Sequence, residues 1–377
     1  TPIPTRTIQA ALFPVRIGVV SNLRGGEMAK ISAEAINVYG AKIIYEHLSA
    51  MQAEVQGVLT SEDIEYVHRM RVATRRLRSS LAIFSDSFPK KDYRQFLKDI
   101  RAVTKALGAA RDLDVQLELL EQLHPQFADP KLAPGVNRLQ LRLKQHRQDA
   151  QNQVIKAMKT LEDDETLRRI ARWAAPWLEK AENIYLYSPA LFELAFSSIK
   201  TRLQETLEFD QPVRVETNVA ELHAMRISAK HLRYTMEVFE SLYGEEIKSL
   251  INLSKKLQDL LGSIHDADVW MDMIPSFIKE EEQRIITYFG HNRPLRRLLP
   301  GLRAFAANRE RSRVEDYRAF LQLWDKTLQD GVWEKLDMLI NAPLNVGEAI
   351  KLLQKMENPE EQEGSGTPEP DVKTIDG

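Results

Sequence analysis

The chain has 377 residues, of which 43% are hydrophobic and 28% are charged, so it is long enough for one large domain or about two or three smaller ones. Its lack of cysteine excludes disulfides, thiolate metal sites and a cysteine nucleophile, and fits a reducing compartment such as the cytoplasm. No apolar run of roughly 18 residues is present, so a membrane-spanning helix is not expected. The formal net charge of −2 is unevenly distributed, because residues 357–377 hold seven acids and one lysine.

The pattern of apolar residues is helical along nearly the whole chain. Apolar side chains recur at spacings of three and four, without the alternation that is typical of strands. Clusters of Pro, Gly, Asn and Asp mark the turns between these segments. The sequence therefore predicts an all-α protein built from long helices that suit bundles. In chain order, the predicted helices span residues 30–56, 61–86, 90–123, 132–160, 163–181, 188–207, 218–242, 245–283 and 309–340.

Two sequence motifs occur twice, which indicates an internal repeat. HRMRVATRRLR, starting at His68, matches HAMRISAKHLR, starting at His223, at a shift of 155 residues. LGAARDLDV, starting at Leu107, matches LGSIHDADV, starting at Leu261, at a shift of 154 residues. Because both halves keep nearly the same separation between the motifs, we expect two copies of one helical plan. The predicted segments are a flexible extension (1–27), a first half (28–186), a second half (187–345) and an acidic, disordered tail (346–377).

The first motif places four basic groups on one side of a helix. At 100° per residue they fall within about 80° of arc, beside the apolar stripe, and the second copy of this motif repeats the arrangement. Like charges three and four residues apart repel, so they need either acids from a neighbouring helix or an anionic ligand. Arginine suits phosphate because its planar fork donates two parallel bonds, and a row of about 15 Å suits several phosphates in line. Arg69 and Arg76 point elsewhere and are interpreted as surface charge. The basic rows are His68, Arg71, Arg75 and Arg78 in the first copy of this motif and His223, Arg226, Lys230 and Arg233 in its second copy.

The next predicted helix adds a further basic face. Lys98, Arg101 and Lys105 share one side of it, opposite its apolar residues. In the second half Lys255 keeps this face, whereas Asp259 stands at the position that corresponds to Lys105. We therefore expect either that the second half contributes fewer contacts or that Asp259 pairs with a neighbouring base.

The paired motifs resemble those of the CHAD family, the conserved-histidine α-helical domain, over roughly residues 30–340. The resemblance implies two four-helix bundles, related by a pseudo-two-fold axis, around a basic central channel. It also implies non-catalytic binding of inorganic polyphosphate, with sulfate or phosphate as mimics, and a location at cytoplasmic polyphosphate granules. It assigns this role to the basic rows, supported by Lys98, Arg101, Lys105 and Lys255. The ExExK strand of the CYTH domain that accompanies many members is not found, so the chain looks like CHAD alone.

The acids of the second motif have two interpretations. Asp112 and Asp266 could be metal ligands, or could cap a helix or hold a neighbouring base, and this orienting role is the favoured one. His265 and Asp266 also spell the dipeptide of HD-type metal phosphohydrolases acting on polyphosphate or nucleotides. The first half has Arg111 at the position of His265, and an arginine is a poor neighbour for a metal. The resemblance marks His265 as the departure, because the CHAD motif usually has an arginine there.

A third function class, nucleic-acid binding, is also not favoured. Base stacking usually requires aromatic side chains among the basic groups, and Tyr234 alone adjoins a row. No Walker loop or nucleophile elbow is present, so neither an enzyme nor a bound cofactor or metal is expected. If His68 and His223 contact the anion, binding should strengthen as pH falls through their titration range near ~6.5.

Overall fold

The computed structural model describes residues 25–60, 63–181 and 188–343, with side chains from residue 33 onward. These ranges are all-α and contain no strand, as the periodicity predicts. The predicted extension and acidic tail lie outside the described residues, apart from residues 25–27, which begin the first helix. The described helices are α1 (Gly25–Thr60), α2 (Ile64–Ile83), α3 (Lys90–Leu123), α4 (Ala133–Asp163), α5 (Thr166–Glu179), α6 (Pro189–Leu207), α7 (Val219–Val238), α8 (Glu240–Phe289), α9 (Leu299–Gln329) and α10 (332–343).

The repeated motifs lie on helices that correspond in order and length. The basic rows lie on α2 and α7, which have 20 residues each, and the second motif lies on α3 and α8. The helices that follow, α4 and α9, have 31 residues each and both begin with a residue followed by Pro-Gly. The arrangement around a pseudo-two-fold axis and the boundary at residue 186 remain predictions.

Helix α2 illustrates why these segments are helical. The Asp63 carboxylate accepts a hydrogen bond of 2.9 Å from the Glu65 amide, which satisfies a donor at the first turn. Its predicted apolar stripe is confirmed, because every member is buried, and burying each large apolar side chain contributes about 1.5–3 kcal/mol. The stripe consists of Val67, Met70, Ala73, Leu77, Leu81 and Phe84.

A central core joins α1, α2 and α7. The ring of Tyr39 lies 6.2 Å from that of Phe84 and 6.1 Å from that of Phe239, measured between centroids. The Tyr39 hydroxyl also donates a 2.8 Å hydrogen bond to the carbonyl of Val238. Phe84 and Phe239 end α2 and α7, so this aromatic cluster fixes the carboxyl ends of the two helices that carry the basic rows.

A second core forms where the α3–α4 hairpin meets the α8–α9 hairpin. Its buried residues include Leu139 from α4 and Phe305 from α9. The two helices approach closely at Gly135 and Gly301. A Cβ on Gly135 would lie 2.2 Å from the carbonyl oxygen of Leu298, and one on Gly301 would lie 1.9 Å from that of Leu132. Only glycine permits this contact between main chains.

The largest differences from the predicted helix boundaries lie at α9 and α10. The segment predicted as one helix from 309 to 340 is two helices, separated at Gly331, whose φ of 61° is left-handed. The first of these begins at Leu299 instead of 309, because Pro300 is tolerated in a first turn and Gly301 allows the crossing with α4. The Pro-Gly pair that predicted a loop is therefore a helix start.

Candidate functional site

The basic rows of α2 and α7 come together in the folded chain. All eight groups are partly buried, and the charges of Arg75, Arg71 and Arg78 from α2 act on Lys230 of α7. Phe84 and Phe239, each six residues after the last arginine of its row, pack against each other with ring centroids 6.2 Å apart. The carboxyl ends of the two rows therefore lie next to a contact between α2 and α7.

Arg75 occupies the centre of this region. Its guanidinium carbon lies 5.1 Å from the centroid of the Tyr234 ring, and that of Arg233 lies 4.8 Å from the same ring. Tyr234 is itself buried. Burial lowers the pKa of Arg75 to about 10, opposed by Tyr234 and assisted by the positive charges of Arg71, Arg233 and Arg226. The folded chain thus holds several guanidinium groups in a poorly solvated space.

Three guanidinium groups of the rows are incompletely satisfied. The Nε atoms of Arg75, Arg78 and Arg233 are buried and have no acceptor among the described residues. Leaving a buried donor unpaired costs about 1–3 kcal/mol, and more for a charged group. Burial and the nearby charge of Arg101 also lower the pKa of Arg78. An anion with several acceptor oxygens would relieve all of these costs together.

Lys230 is the one lysine of the basic rows. Burial, followed by the charges of Arg75, Arg226, Arg71 and Arg78, lowers its pKa to about 7. It makes no ion pair with any acid in the described ranges. The positive charge on this amine therefore depends on whether an anion is bound nearby.

Few acids neutralise the predicted site residues. Asp112 accepts from Arg71 at 3.5 Å, and Glu237 lies 3.4 Å from Arg233. Glu237 also accepts from Arg76 at 3.1 Å, so Arg76 links α2 to α7 and is more than the surface charge that the sequence predicts. Within the described structure, no ion pair joins an acid to any of the other ten predicted contacts.

The support residues on α3 and α8 divide into two groups. Arg101 lies close enough to Arg78 for its charge to lower the pKa of that group. Lys98, Lys105 and Lys255 are exposed, and the structure gives them no contact with the rows. Of the two alternatives predicted for the second half, the ion pair of Asp259 is not found among the described residues, which leaves the smaller number of contacts as the prediction.

The two motif histidines have different neighbours. His223 Nδ1 lies 3.1 Å from His265 Nδ1, and the ring centroids are 4.3 Å apart, so only one of the two facing nitrogens can carry a proton. Burial and the charges of Arg226 and His223 lower the pKa of His265 to about 4. Burial lowers the pKa of His68 first, and the charge of Arg111 lowers it further. Burial also lowers the pKa of His223, assisted by Arg226 and Lys230.

Of the two orienting roles predicted for Asp112 and Asp266, only one is found. Both residues lie well inside helices α3 and α8, so neither caps a helix, but Asp112 holds a neighbouring base, because it accepts from Arg71 at 3.5 Å. For Asp266 no hydrogen bond or ion pair is found in the described part of the chain. Burial raises its pKa, the charge of Arg226 opposes this shift, and the charge of Asp112 adds to it.

The buried acids are instead the second aspartates of the motif, which the sequence analysis did not assign a structural role. Asp114 accepts from Arg147 at 2.6 Å, and Asp268 accepts from Arg313 at 2.5 Å. These pairs attach α3 to α4 and α8 to α9. The sequence held a signal that the two pairs correspond, because Arg147 lies 12 residues after Gly135 and Arg313 lies 12 residues after Gly301.

Other chemistry at the site is limited by what the described residues offer. Among them no group of three or more His, Asp or Glu side chains could hold a metal ion. Two cavities of about 500 and 360 Å³ lie near the hairpin tips, lined in part by Arg138 and Leu298, and neither includes a residue of the basic rows.

Comparison with known proteins agrees with this geometry. The chain matches the CHAD domain over residues 42–275, well over half of its length, and it belongs to the CHAD domain family. The crystal structure of the CHAD domain from the plant Ricinus communis is similar at 23% identity and a TM-score of 0.56, covering 76% of this chain and 91% of that one. PptA from Streptomyces chartreusis is similar at 17% identity and a TM-score of 0.55, covering 77% and 99%. At these identities the two structures support the fold alone. No curated protein matches the chain.

None of the described helices combines the length and apolar character that a bilayer crossing requires.

Proposed function

We propose that the chain binds inorganic polyphosphate through the basic rows of α2 and α7, without turning it over. The observation that carries the proposal is the set of buried Nε donors on Arg75, Arg78 and Arg233, which lack acceptors where the two rows meet. Phosphate oxygens are the strongest common acceptors for guanidinium groups, and a linear polymer supplies them at regular intervals. Membership of the CHAD domain family supports the same ligand.

The length of the rows favours a polymer over a single phosphate. From His68 to Arg78 the helix rises by about 15 Å, and α7 offers a second row of the same length. Each charge-assisted hydrogen bond contributes about 1.5–3 kcal/mol net, so several together suffice for sub-micromolar affinity after the ordering costs. A cytoplasmic location at polyphosphate granules fits this function.

Nucleic acid is the polyanion that most needs to be distinguished. Tyr234, the aromatic residue beside the rows, is buried, and the guanidinium groups of Arg75 and Arg233 lie 5.1 and 4.8 Å from its ring centre, so the ring is not open to a base. Calorimetric titration with polyphosphate should give tight binding, and single-stranded RNA at the same phosphate concentration should not displace it. Displacement by RNA would contradict the proposal.

Turnover is tested in the same preparation. Incubation with polyphosphate and Mg²⁺ or Mn²⁺ should release no orthophosphate above the buffer control. Release that a chelator abolishes would show a metal-dependent phosphohydrolase instead.

A further inference from the structure

Lys230 differs from the other cations of the basic rows in the chemistry available to it. Its counterpart in the first copy of the motif is Arg75. An arginine stays protonated in proteins, whereas a lysine amine can lose its proton and act as a nucleophile. The guanidinium carbon of Arg75 on α2 lies 5.1 Å from the ring centre of Tyr234, which is one helical turn after Lys230 on α7. The charges of Arg71, Arg75, Arg78 and Arg226 act on this partly buried amine. In the described part of the chain no acid forms an ion pair with it.

This environment favours the free amine. Removing the ammonium from water and placing it among like charges both disfavour its protonated form, which brings its pKa to about 7. An ordinary lysine near neutral pH has a free amine in roughly one molecule in a thousand. Near neutral pH, Lys230 of the free protein therefore presents a nucleophile among guanidinium groups from α2 and α7. A bound phosphoryl group raises this pKa again, so the expected gain in rate over an ordinary lysine is about tenfold and not the full ratio of free amines.

We propose that Lys230 is an acylation site for small acyl phosphates, with the phosphoryl group bound by the surrounding arginines and the acyl carbon placed beside the amine. This inference rests on the phosphate-binding part of the proposed function, although not on the length of the polymer. An acyl phosphate combines the two features that the site selects, a dianion for the guanidinium groups and an electrophilic carbon next to it.

The reaction is a simple acyl transfer. The Lys230 nitrogen attacks the carbonyl carbon, a C–N bond forms, and the bond between that carbon and the bridging phosphate oxygen breaks. The products are the Nε-acyl-lysine and hydrogen phosphate, which takes the proton that leaves the amine. Nothing is oxidised or reduced, and the arginines stabilise the negative charge on the departing phosphate.

Acylation would change the site itself. The amide is neutral, so the reaction removes one positive charge from the middle of the rows and leaves an acyl group there. Losing one charge-assisted contact weakens polyphosphate binding about tenfold. The acyl phosphate level would then set how much of the protein can bind its polymer.

The test is a time course with acetyl phosphate, followed by peptide mass spectrometry. Lys230 should be acetylated about tenfold faster than the exposed Lys98, Lys105 and Lys255 of the same molecules, which serve as internal controls. Inorganic pyrophosphate should protect Lys230 and leave the exposed lysines unaffected. Acetylation of Lys230 no faster than that of the exposed residues would overturn the proposal.

A second acyl donor separates guided transfer from simple reactivity. The N-hydroxysuccinimide ester of acetic acid has no phosphoryl group, so the preference for Lys230 should shrink. The same preference with both donors would show that the arginines do not guide the reaction, and would contradict the proposal.

Two further measurements connect the site with its function and keep the two proposals apart. Acetyl phosphate treatment should lower the polyphosphate affinity of the wild-type chain but not that of Lys230→Arg, and an equal loss in both would contradict the predicted effect on binding. Untreated protein that fails to bind polyphosphate while Lys230 is still acetylated selectively would disprove the proposed function alone. Polyphosphate binding without selective acetylation would disprove this inference alone.

Discussion

The guanidinium carbon of Arg75 lies 5.1 Å from the centre of the Tyr234 ring, so a cation of α2 rests on an aromatic residue of α7. Arg233 approaches the same ring at 4.8 Å. A cation over an aromatic face gains about 0.5–2 kcal/mol, which offsets part of the repulsion between the two guanidinium groups. The ring thereby holds two like charges close together while leaving their donor groups for an external anion.

Arg75 should dominate binding, whereas Arg69 should not. Arg75→Gln removes a buried cation without an acid partner and should weaken polyphosphate binding about 10- to 100-fold. Arg69→Gln removes the same charge from an exposed position, where Arg69 pairs with Glu54 at 2.9 Å, and should change affinity less than about twofold. Titrations at one fixed salt concentration compare the two variants, and effects of equal size would show that the assignment of the basic faces is wrong.

Binding should weaken as pH rises, over a range that is wider than the histidines alone provide. A bound polyanion raises the pKa of Lys230 from about 7, so binding takes up a proton and loses affinity between about pH 7 and pH 9. His68 and His223, whose pKa values are lowered in the free protein, add to the affinity only at more acidic pH. Calorimetry in buffers of different ionisation enthalpy measures the proton uptake.

The matched control for this pH dependence is Lys230→Arg, which keeps its charge throughout. Its affinity should change little between about pH 7 and pH 9. A slope as steep as that of the wild-type chain would assign the effect to another group.

The glycine crossing should tolerate no side chain. Gly135→Ala places a Cβ 2.2 Å from the carbonyl oxygen of Leu298, a main-chain atom that cannot move aside cheaply, and should lower the free energy of unfolding by about 1–3 kcal/mol. Gly262→Ala is the control, because its Cβ would meet only Arg226 Nε at 3.8 Å and would gain helix propensity of up to about 1 kcal/mol. Urea denaturation compares them, and equal stability of both variants would show that the crossing is looser than described.

The buried ion pair of Asp268 should matter far more than the exposed acid of the same motif. Asp268→Asn removes the nearer of two carboxylates from the guanidinium of Arg313, which has 8% of its side chain exposed and also lies 3.4 Å from Glu216, and should cost about 1–3 kcal/mol of unfolding free energy. Asp112→Asn changes a side chain that is 68% exposed and should cost less than about 0.5 kcal/mol. Thermal or denaturant unfolding measures both, and the opposite order would show that the Arg71 contact of Asp112 outweighs the buried pair.

Local periodicity was sufficient to predict the helices and the side of α2 that is buried. The predicted stripe from Val67 to Phe84 is buried throughout, because the spacing of apolar residues directly encodes the face that packs. The same helical spacing of 100° per residue predicted that the basic rows lie beside the core. The break at Gly331 and the helix start at Leu299 were missed, because Pro and Gly mark both loops and helix starts, and only the neighbouring helix decides between them.

Ion pairs between helices do not follow from the residue pattern of any single helix. The positions of residues around each helix gave no reason to connect Asp114 with Arg147, or to place Glu237 beside both Arg76 and Arg233. These pairs depend on how α3 packs on α4 and α2 on α7, which the pattern of each helix leaves open. The exposure of the α3 and α8 lysines has the same cause.

The proposed anion site predicts that the melting temperature of this protein depends on the anions in its buffer, because the buried Nε atoms have no acceptor among the described residues. A solute that binds only the folded chain stabilises it by RT ln(1 + [L]/Kd), so sulfate or phosphate carried through purification raises the transition, and exhaustive dialysis into chloride lowers it. Thermal shift measured against a series of oxyanions therefore ranks ligands without any labelled probe. Stabilities of variants are comparable only when the anion concentration is held constant.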